Sequence, residues 1–304
     1  MSKTLISIIG PTAIGKTKLA IALAQHFNTD IISADSRQFF KEMRIGTAVP
    51  NNEELEAAPH HFIQHRSIQE PYTVGDFERE ALEKLNQLFV KNDIVIMVGG
   101  SGLYVDAVTD GLNIFPRIDP SVRENLNRDL TQKGLRYLQA KLKELDPDYY
   151  KKVDIQNPQR VIRALEVSVG SGKPYSSFLN KPKNKRPFKV LTIGLKAERE
   201  IIYSRINQRV DQMVNEGLLD EVKELVPFKE LNALQTVGYK ELFNYYEGEW
   251  TLDFAISEIK KNTRRFAKRQ LTWFLKRENA SWFEYNEDLS SLIRVIEEQL
   301  KNSK

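Results

Sequence analysis

The segment GPTAIGKT, residues 10–17, constrains the fold of this 304-residue chain more than any other part of its sequence. It fits the pattern G-x-x-x-x-G-K-[ST] and lies between a short apolar run, Thr4–Ile9, and a helical pattern that begins at Lys16. Glycines permit a tight loop whose backbone N–H groups converge on an anion, while the helix N-terminus and the lysine add positive charge. The segment therefore predicts a strand, a polyphosphate-binding loop and a helix, as in nucleotide-binding and ATP-binding proteins.

The whole loop is predicted to contact the anion, and its last residue is predicted to hold a metal ion. The anion-binding candidates are Gly10, Pro11, Thr12, Ala13, Ile14, Gly15, Lys16 and Thr17. The hydroxyl of Thr17 is placed to bind Mg²⁺, which is the expected cofactor. In many nucleotide hydrolases and kinases a second strand ends in a carboxylate that supports the metal. Here the run Asp93–Val98 is followed by GGS, so the hydroxyl of Ser101 stands where that carboxylate is expected.

Strand-like runs alternate with helical patterns along much of the chain. The predicted strands are Thr4–Ile9, Asp30–Ala34, Asp93–Val98, Val190–Leu195 and Trp282–Tyr285. The clearest helical patterns are Lys16–His26, Asp76–Val90, residues 199–226 and residues 253–277. The first three strands are short, β-branched and bounded by turn residues, as buried parallel strands are. This alternation predicts an α/β fold, a P-loop NTPase-like doubly wound parallel sheet.

The strand signal disappears between residues 115 and 187. This segment shows helical patterns interrupted by seven prolines. We predict that residues 115–187 form an inserted helical subdomain. Residues 1–114 and 188–304 are then predicted to form the α/β core, which ends in basic helices.

Charge is distributed unevenly, although Lys and Arg outnumber Asp and Glu by only 45 to 41. Residues 1–110 hold 10 basic and 14 acidic side chains, so the positive excess lies in the rest of the chain. Residues 257–277 contain eight basic side chains and one acidic one, and residues 173–189 contain six and none. Aromatic residues are interleaved with both stretches. Such a stretch is a solvated helix face as often as it is an RNA contact.

Composition excludes several classes of protein. The chain contains no cysteine, which excludes disulfides and thiolate metal sites and fits a reducing compartment. Only six residues separate Lys3 from Gly10, far fewer than the ~20 apolar residues that a membrane-spanning helix needs. We therefore expect a cytoplasmic protein that is not inserted in a membrane.

An acidic residue, Asp35, follows the second predicted strand in the sequence ISADSRQ. The loops at the carboxyl ends of parallel strands open into one crevice. Asp35, Ser101 and the phosphate loop are therefore expected to face one another. The alternative for Asp35 is a helix N-cap.

Eight sequence blocks, in order, resemble one known family. They are GPTAIGKT, SADSRQ, IGTAVP, PHHF, VGGSGLYVDA, NPQRVIRALEV, QTVGYKEL and TRRFAKRQLTWF. With these blocks the chain resembles the tRNA dimethylallyltransferases, also called tRNA isopentenyl transferases, over almost its whole length. The resemblance implies transfer of a dimethylallyl group from dimethylallyl diphosphate to the exocyclic amine of the adenine 3′-adjacent to a tRNA anticodon. It further implies that the phosphate loop holds the diphosphate leaving group. We expect the chain to be a monomer.

The resemblance also implies roles for individual residues. Asp35 would be the general base, and Lys16 and Ser101 would complete the catalytic group, with Ser101 at a position where threonine is more common in the family. Arg209 would reach the diphosphate, with Arg205 as the second candidate. The implied tRNA contacts are Asp35, Ser36, Arg37, Gln38, Ser101, Arg123, Gln159, Arg160, Val161, Ile162 and Arg163. For Arg160 and Arg163 a solvated helix face remains the alternative.

Two other functions remain open at this point. A small-molecule or nucleotide kinase shares the phosphate loop and the sheet, but the missing carboxylate after Val98 and the basic stretches argue against it. A non-catalytic RNA-binding protein would use the loop for structure only, and it gives no reason for Lys16 to stand beside Thr17.

Overall fold

A parallel sheet forms the centre of the fold. The computed structural model describes residues 3–179 and 185–302, and within them six strands pair in the order β3-β2-β4-β1-β5-β6. The strands are β1 Thr4–Ile9, β2 Ile31–Ser33, β3 His60–His61, β4 Ile94–Val98, β5 Lys189–Lys196 and β6 Ala280–Glu284. Every pairing between them is parallel. The predicted doubly wound α/β fold is confirmed.

Helices cover both faces of the sheet. Alternate side chains of its central strands point to opposite faces and pack into two different hydrophobic cores. The helices of this part are α1 Lys16–Phe27, α2 Asn52–Ala57, α3 Val74–Lys91, α4 Gly102–Thr109, α8 Arg199–Asn215, α9 Leu218–Leu225, α10 Tyr239–Tyr246, α11 Leu252–Phe274 and α12 Leu289–Asn302. Leu5 and Ile9 of β1 pack with residues of α3 and α10. Ile6 and Ile8 pack on the other face with residues of α1 and α12. The apolar run of β1 is therefore buried on both sides, as the sequence predicts.

The register of the sheet places three loops at one edge. Strand β1 lies between β4 and β5, and Ile8 pairs with Val98 on one side and Ile193 on the other. The loops that follow these strands therefore emerge side by side. Gly10 begins the loop after β1 with φ of +147°, and a Cβ there would lie 2.8 Å from the carbonyl oxygen of Leu195. Only glycine permits that close approach.

A second unit, residues 111–185, is helical where it is described. Its helices are α5 Pro120–Leu145, α6 Pro147–Tyr150 and α7 Pro158–Ser171. The other unit comprises residues 1–110 and 186–304. Its boundaries lie within four residues of the predicted ones, which fall between residues 114 and 115 and between residues 187 and 188. Two lysines of the basic stretch 173–189, Lys181 and Lys183, lie outside the described residues.

Among the helices of the described ranges, none combines the length and the apolar character that a bilayer crossing requires.

Two details of the fold differ from the sequence prediction. The single long helix predicted over residues 199–226 is two helices, α8 and α9, because Gly217 adopts φ of +102° between them. Strand β3 was not predicted, since its two residues are too few to show a pattern.

Glu221 of α9 holds the loop that follows β2. Its carboxylate accepts hydrogen bonds from three successive backbone N–H groups, those of Arg44 at 2.9 Å, Ile45 at 2.6 Å and Gly46 at 2.9 Å. It also accepts one from the phenol of Tyr239 at 2.7 Å. The ring of Tyr239 packs on Gly46, where a Cβ would lie 2.7 Å from the phenol oxygen. One carboxylate thus fixes the position of residues 44–46.

We predict that Glu221→Ala lowers the denaturation midpoint, because it leaves three backbone donors and a phenol without their acceptor. An unsatisfied donor costs about 1–3 kcal/mol when it is fully buried, and these backbone donors are only partly buried, so we expect a total loss on the order of 3 kcal/mol in the free energy of unfolding. Chemical denaturation followed by circular dichroism measures this loss. The exposed Glu224 of the same helix supplies the matched control, Glu224→Ala. Equal midpoints for the two variants would contradict the prediction.

Candidate active site

The phosphate loop lies where the sequence predicts, between the end of β1 and the start of α1. Its backbone takes positive φ values at Ala13 (63°) and at Gly15 (108°), which is the N-cap of α1. Among the described residues, no side chain caps this helix N-terminus. The first N–H groups of α1 therefore face the loop opening, together with the positive end of the helix dipole.

Lys16 lies across the loop. Its ammonium donates a 2.7 Å hydrogen bond to the carbonyl oxygen of Pro11. Burial lowers the pKa of Lys16 to about 8, the carboxylate of Asp35 acts to raise it, and the guanidinium of Arg209 acts to lower it. An anion bound in the loop would favour the charged form of this lysine.

Gln270 of α11 joins the phosphate loop to the loop that follows β4. Its side-chain oxygen accepts a 2.8 Å hydrogen bond from the backbone N–H of Thr12, and its amide nitrogen donates a 2.9 Å bond to the carbonyl oxygen of Gly100. A Cβ at Gly100 would lie 2.4 Å from that nitrogen, so a larger residue at this position would displace the amide of Gln270. Gln270 was not predicted from the sequence. It could have been noticed as a polar residue on the buried face of α11, whose other buried residues are apolar.

The two arginines of α8 have different surroundings. Arg205 donates from Nε to the carbonyl oxygen of Ala13 at 2.7 Å, and its guanidinium lies over the ring of Tyr285 at 5.3 Å. The guanidinium of Arg209 lies 3.5 Å from the hydroxyl of Thr12. Burial, and next the neighbouring Arg205, lower the pKa of Arg209. Arg205 is thus engaged with the loop backbone, and Arg209 is the better placed of the two to meet an anion.

Two cavities meet at this site. A cavity of about 710 Å³ is lined by the phosphate loop from Thr12 to Lys18 and by both arginines. A neighbouring cavity of about 430 Å³ has a mainly apolar wall. That apolar wall is formed by Leu103, Ile206, Val210, Met213, Leu218, Val237, Ile259, Phe266 and Trp273. Residues common to both linings include Thr12, Asp35, Gly100, Arg209 and Gln270.

Asp35 and Ser101 come together as the strand order predicts, since β2 and β4 are neighbours. The carboxylate of Asp35 accepts a 3.0 Å hydrogen bond from the backbone N–H of Arg37. The hydroxyl of Ser101 accepts from the backbone N–H of Ser36 at 3.0 Å and lies 3.1 Å from the Ser36 hydroxyl. Asp35 is followed by a turn and not by a helix, so the N-cap alternative was wrong.

Two of the predicted RNA contacts beside Asp35 are engaged with the protein backbone. Arg37 donates to the carbonyl oxygens of Asn232 at 3.1 Å and Ala233 at 2.9 Å. Gln38 donates to those of Thr47 at 3.2 Å and Ala48 at 2.9 Å. Both side chains therefore hold neighbouring loops in place. Their contact with RNA stays a prediction.

Three of the predicted contacts in the helical unit form one bonded group. Glu166 accepts hydrogen bonds from Arg123 and Arg163, each at 2.9 Å, and Arg123 also donates to Gln159 at 3.2 Å. The guanidinium of Arg163 lies 5.1 Å from the centre of the Phe115 ring. Sequence analysis missed Glu166, which orients both arginines.

Val161 and Ile162 require a correction. Both were predicted to contact tRNA, but their side chains are fully buried in the core of the helical unit, with Leu126, Leu138 and Leu142. Buried side chains on the inner face of α7 cannot touch a partner. Arg160, on the same helix, is exposed.

Residues for a magnesium ion are present in the larger cavity. Thr17, Ser33 and Asp35 line it, and all three carry oxygen donors of the kind that Mg²⁺ prefers. Within residues 3–179 and 185–302, no group of three or more histidine and carboxylate side chains forms a closed metal site. Such a lining suits an ion that is held partly by phosphate oxygens and water.

Comparison with known proteins identifies the family. A family model described as IPP transferase matches residues 38–278. The chain belongs to the IPP transferase family. The match begins after the phosphate loop and includes Ser101, Arg209 and Gln270.

Relatives that match almost the whole chain also match it over the phosphate loop. A tRNA dimethylallyltransferase of Flavobacterium johnsoniae is 62% identical over 307 residues, which cover 99% of each chain. A tRNA isopentenylpyrophosphate transferase structure from Bacillus halodurans is 38% identical with a TM-score of 0.72 and covers 99% of this chain and 96% of its own. A eukaryotic dimethylallyltransferase, described as acting on tRNA, is 30% identical with a TM-score of 0.76 and coverages of 94% and 75%. The resemblance inferred from the sequence is confirmed.

We predict that this chain binds inorganic diphosphate less tightly as the pH rises above about 8, the pKa of Lys16. The charged lysine binds the anion, so affinity is highest below this pKa and falls by up to about tenfold per pH unit above it. Isothermal titration between pH 7 and 9.5 measures the change. The control is the Lys16→Met variant. Because it lacks the ammonium, its pH profile shows the effect of diphosphate ionisation without that of the lysine. Parallel pH profiles for wild type and Lys16→Met would contradict the prediction.

Proposed function

We propose that this chain transfers a dimethylallyl group from dimethylallyl diphosphate to the exocyclic amine of the adenine 3′-adjacent to a tRNA anticodon. One observation carries the chemistry: Asp35 lines both the anion-binding cavity and the mainly apolar cavity beside it. A carboxylate at that junction can meet the amine at the point where the allylic carbon leaves the diphosphate. Membership of the IPP transferase family supports the same reaction.

The phosphate loop stabilises the leaving group. The ammonium of Lys16, the guanidinium of Arg209 and the first N–H groups of α1 all adjoin the larger cavity. Positive charge held there stabilises the negative charge that develops on the departing diphosphate. Mg²⁺, held by Thr17 and the diphosphate oxygens, would neutralise further charge on the leaving group.

Asp35 assists the acceptor. The amine of adenine is a weak nucleophile because its lone pair is delocalised into the ring. A bond forms between that nitrogen and the allylic carbon, the carbon–oxygen bond breaks with its electron pair leaving on diphosphate, and the amine proton passes to the Asp35 carboxylate. The hydroxyl of Ser101, in the same cavity, positions the adenine.

The apolar cavity suits the dimethylallyl group. Aliphatic side chains of its wall, among them Ile206, Val210 and Met213, hold an allylic carbon that carries positive charge as the diphosphate departs. Water that reached this carbon would produce the alcohol instead of the modified base. A wall of apolar side chains reduces that side reaction.

Basic side chains near the cavity support an RNA substrate. Arg265, Lys268 and Arg269 of α11 are exposed, and Arg269 lines the apolar cavity. Other cations of the same helix are paired: Lys260 with Asp211 at 2.6 Å and Arg264 with Asn207 at 2.8 Å. Phosphate contacts by the exposed cations would orient the RNA without reading its sequence.

Location and oligomeric state complete the proposal. We propose a cytoplasmic location, which a tRNA substrate supports. We further propose that the chain acts as a monomer, because all the residues assigned to the diphosphate and to proton transfer lie on one chain.

The test of this proposal is transfer of labelled dimethylallyl diphosphate into an unmodified tRNA that has adenines after its anticodon, in the presence of magnesium. Wild type should label the RNA, and Lys16→Ala should not. ATP consumption with a small acceptor, and no label in the RNA, would support the kinase alternative. RNA binding that is unchanged by Lys16→Ala, without any transfer by wild type, would support the non-catalytic alternative.

We predict that Asp35→Asn lowers the transfer rate by roughly 10²–10⁴-fold, the usual size of acid–base assistance. Asparagine keeps the side-chain oxygen that accepts from Arg37 but cannot take up the proton. Affinity for the RNA should stay unchanged. The exposed Asp253 supplies the control variant, Asp253→Asn. Transfer at the wild-type rate by Asp35→Asn would disprove the assignment of Asp35 as the general base.

We predict that Arg163→Ala weakens tRNA binding and reduces its dependence on salt by about one released counterion. Affinity for diphosphate should not change, because the phosphate loop belongs to the other unit. Filter binding at several salt concentrations measures the affinity for tRNA and its dependence on salt. Arg128→Ala, which removes an exposed cation of α5 with no predicted role, should have the smaller effect. Loss of diphosphate affinity in Arg163→Ala would overturn its assignment to the RNA.

A further inference from the structure

Trp273 lies exposed in the wall of the apolar cavity. Its side chain is 42% exposed, and it lines that cavity together with Ser101 and Gly102. Leu103 and Phe266 line the same cavity and are 47% and 38% exposed. Large apolar side chains that remain exposed together around a cavity indicate a surface that a ligand covers.

The backbone of Gly102 supports one face of the indole. A Cβ at Gly102 would lie 2.4 Å from Cδ1, 2.5 Å from Nε1 and 2.8 Å from Cγ of Trp273. Such short distances to three atoms of the five-membered ring mean that Gly102 lies over the face of that ring. Any larger residue at this position would displace the indole. The glycine therefore serves to let the ring lie flat against the start of α4.

The edge of the indole is fixed as well. Its Nε1 donates a 3.0 Å hydrogen bond to Asp106, one turn further along α4. Asp106 also accepts from Arg277, whose guanidinium donates to Thr109 and Asp110 at 3.1 Å each. The carboxylate is therefore held in one orientation, and it holds the ring. Since Gly102 contacts one face and Asp106 binds the edge, the second face is the one that a flat ligand could cover.

We propose that this second face of Trp273 stacks on the acceptor purine, an inference that rests on the proposed function. Unpaired RNA bases are recognised by stacking on aromatic side chains and by contacts to their edges. Stacking occupies the face of the purine and leaves its edge, which carries the exocyclic amine, free. Asp35 and Ser101 line the same cavity and can meet that edge. The exposed Arg269 adds the positive charge that an RNA strand requires.

This assignment separates two tasks within one cavity. Stacking is tolerant of base identity because every base has a flat face. Trp273 therefore supplies affinity and orientation, and the polar groups at the edge supply selectivity for an amine. The dimethylallyl donor is held by the phosphate loop, so its affinity does not depend on the indole.

The first test measures transfer with an anticodon stem-loop and dimethylallyl diphosphate. Trp273→Ala should raise KM for the RNA roughly 5- to 100-fold, the range expected for the loss of one stacked base, and leave KM for the donor unchanged. Trp273→Phe should recover most of that loss because it restores a flat ring. Leu275→Ala removes a 60% exposed side chain just beyond α11 that does not line the cavity, and it serves as the control.

The second test observes stacking directly. A stem-loop with 2-aminopurine at the acceptor position cannot react through the missing amine, and its fluorescence falls when it stacks. Wild type should quench the probe, Trp273→Ala should quench it much less, and Gly102→Ala, which displaces the ring, should resemble Trp273→Ala. Circular dichroism confirms that each variant is folded.

The outcomes distinguish this inference from the proposed function. Wild type that labels no RNA would overturn the proposed function. Wild type that labels RNA, with a Trp273→Ala variant that has normal KM for the stem-loop and normal quenching, would overturn only the stacking inference. A rise in KM for the donor alone would assign the indole to the dimethylallyl group and would also overturn it.

Discussion

The side-chain amide of Gln270 joins three parts of the site that are distant in sequence. It accepts from Thr12 in the phosphate loop, donates to Gly100 after β4, and belongs to the basic helix α11. Because a backbone N–H only donates and a carbonyl oxygen only accepts, the orientation of the amide is fixed. The loop, the end of the sheet and the helix therefore keep one relative position. The two cavities that share this residue in their linings depend on that arrangement.

This arrangement explains how a phosphate loop serves a reaction in which no phosphoryl group is transferred. Lys16 and Arg209 adjoin the larger cavity, but the run after β4 offers Ser101 where a carboxylate is usual in hydrolases. The acid lies instead in the loop after the neighbouring strand β2, at Asp35, which lines both cavities. In the proposed mechanism, Lys16 and Arg209 stabilise the charge that develops on the leaving group, and Asp35 accepts the proton that leaves the amine.

Sequence predicted those features that depend on local pattern. The phosphate loop, the central strands and the meeting of Asp35 with Ser101 follow from motif, hydrophobic run and strand order. The break at Gly217 was missed because a helical pattern continues on both sides of it. Gln270, Glu166 and Glu221 were missed because their roles are contacts between residues distant in the chain. The burial of Val161 and Ile162 depends on the face that α7 turns inward, which the motif alone does not specify.

The close contact between Gly102 and Trp273 has an evolutionary consequence. A side chain larger than hydrogen at one position and a full indole at the other exclude each other, because a Cβ would lie 2.4 Å from the ring. Gly102 cannot be replaced while the indole stays, whereas a smaller side chain at position 273 can lie beside Gly102. Across related sequences a residue larger than glycine at position 102 should therefore occur only where position 273 carries a side chain smaller than tryptophan, and this dependence would record a contact that neither position reveals alone.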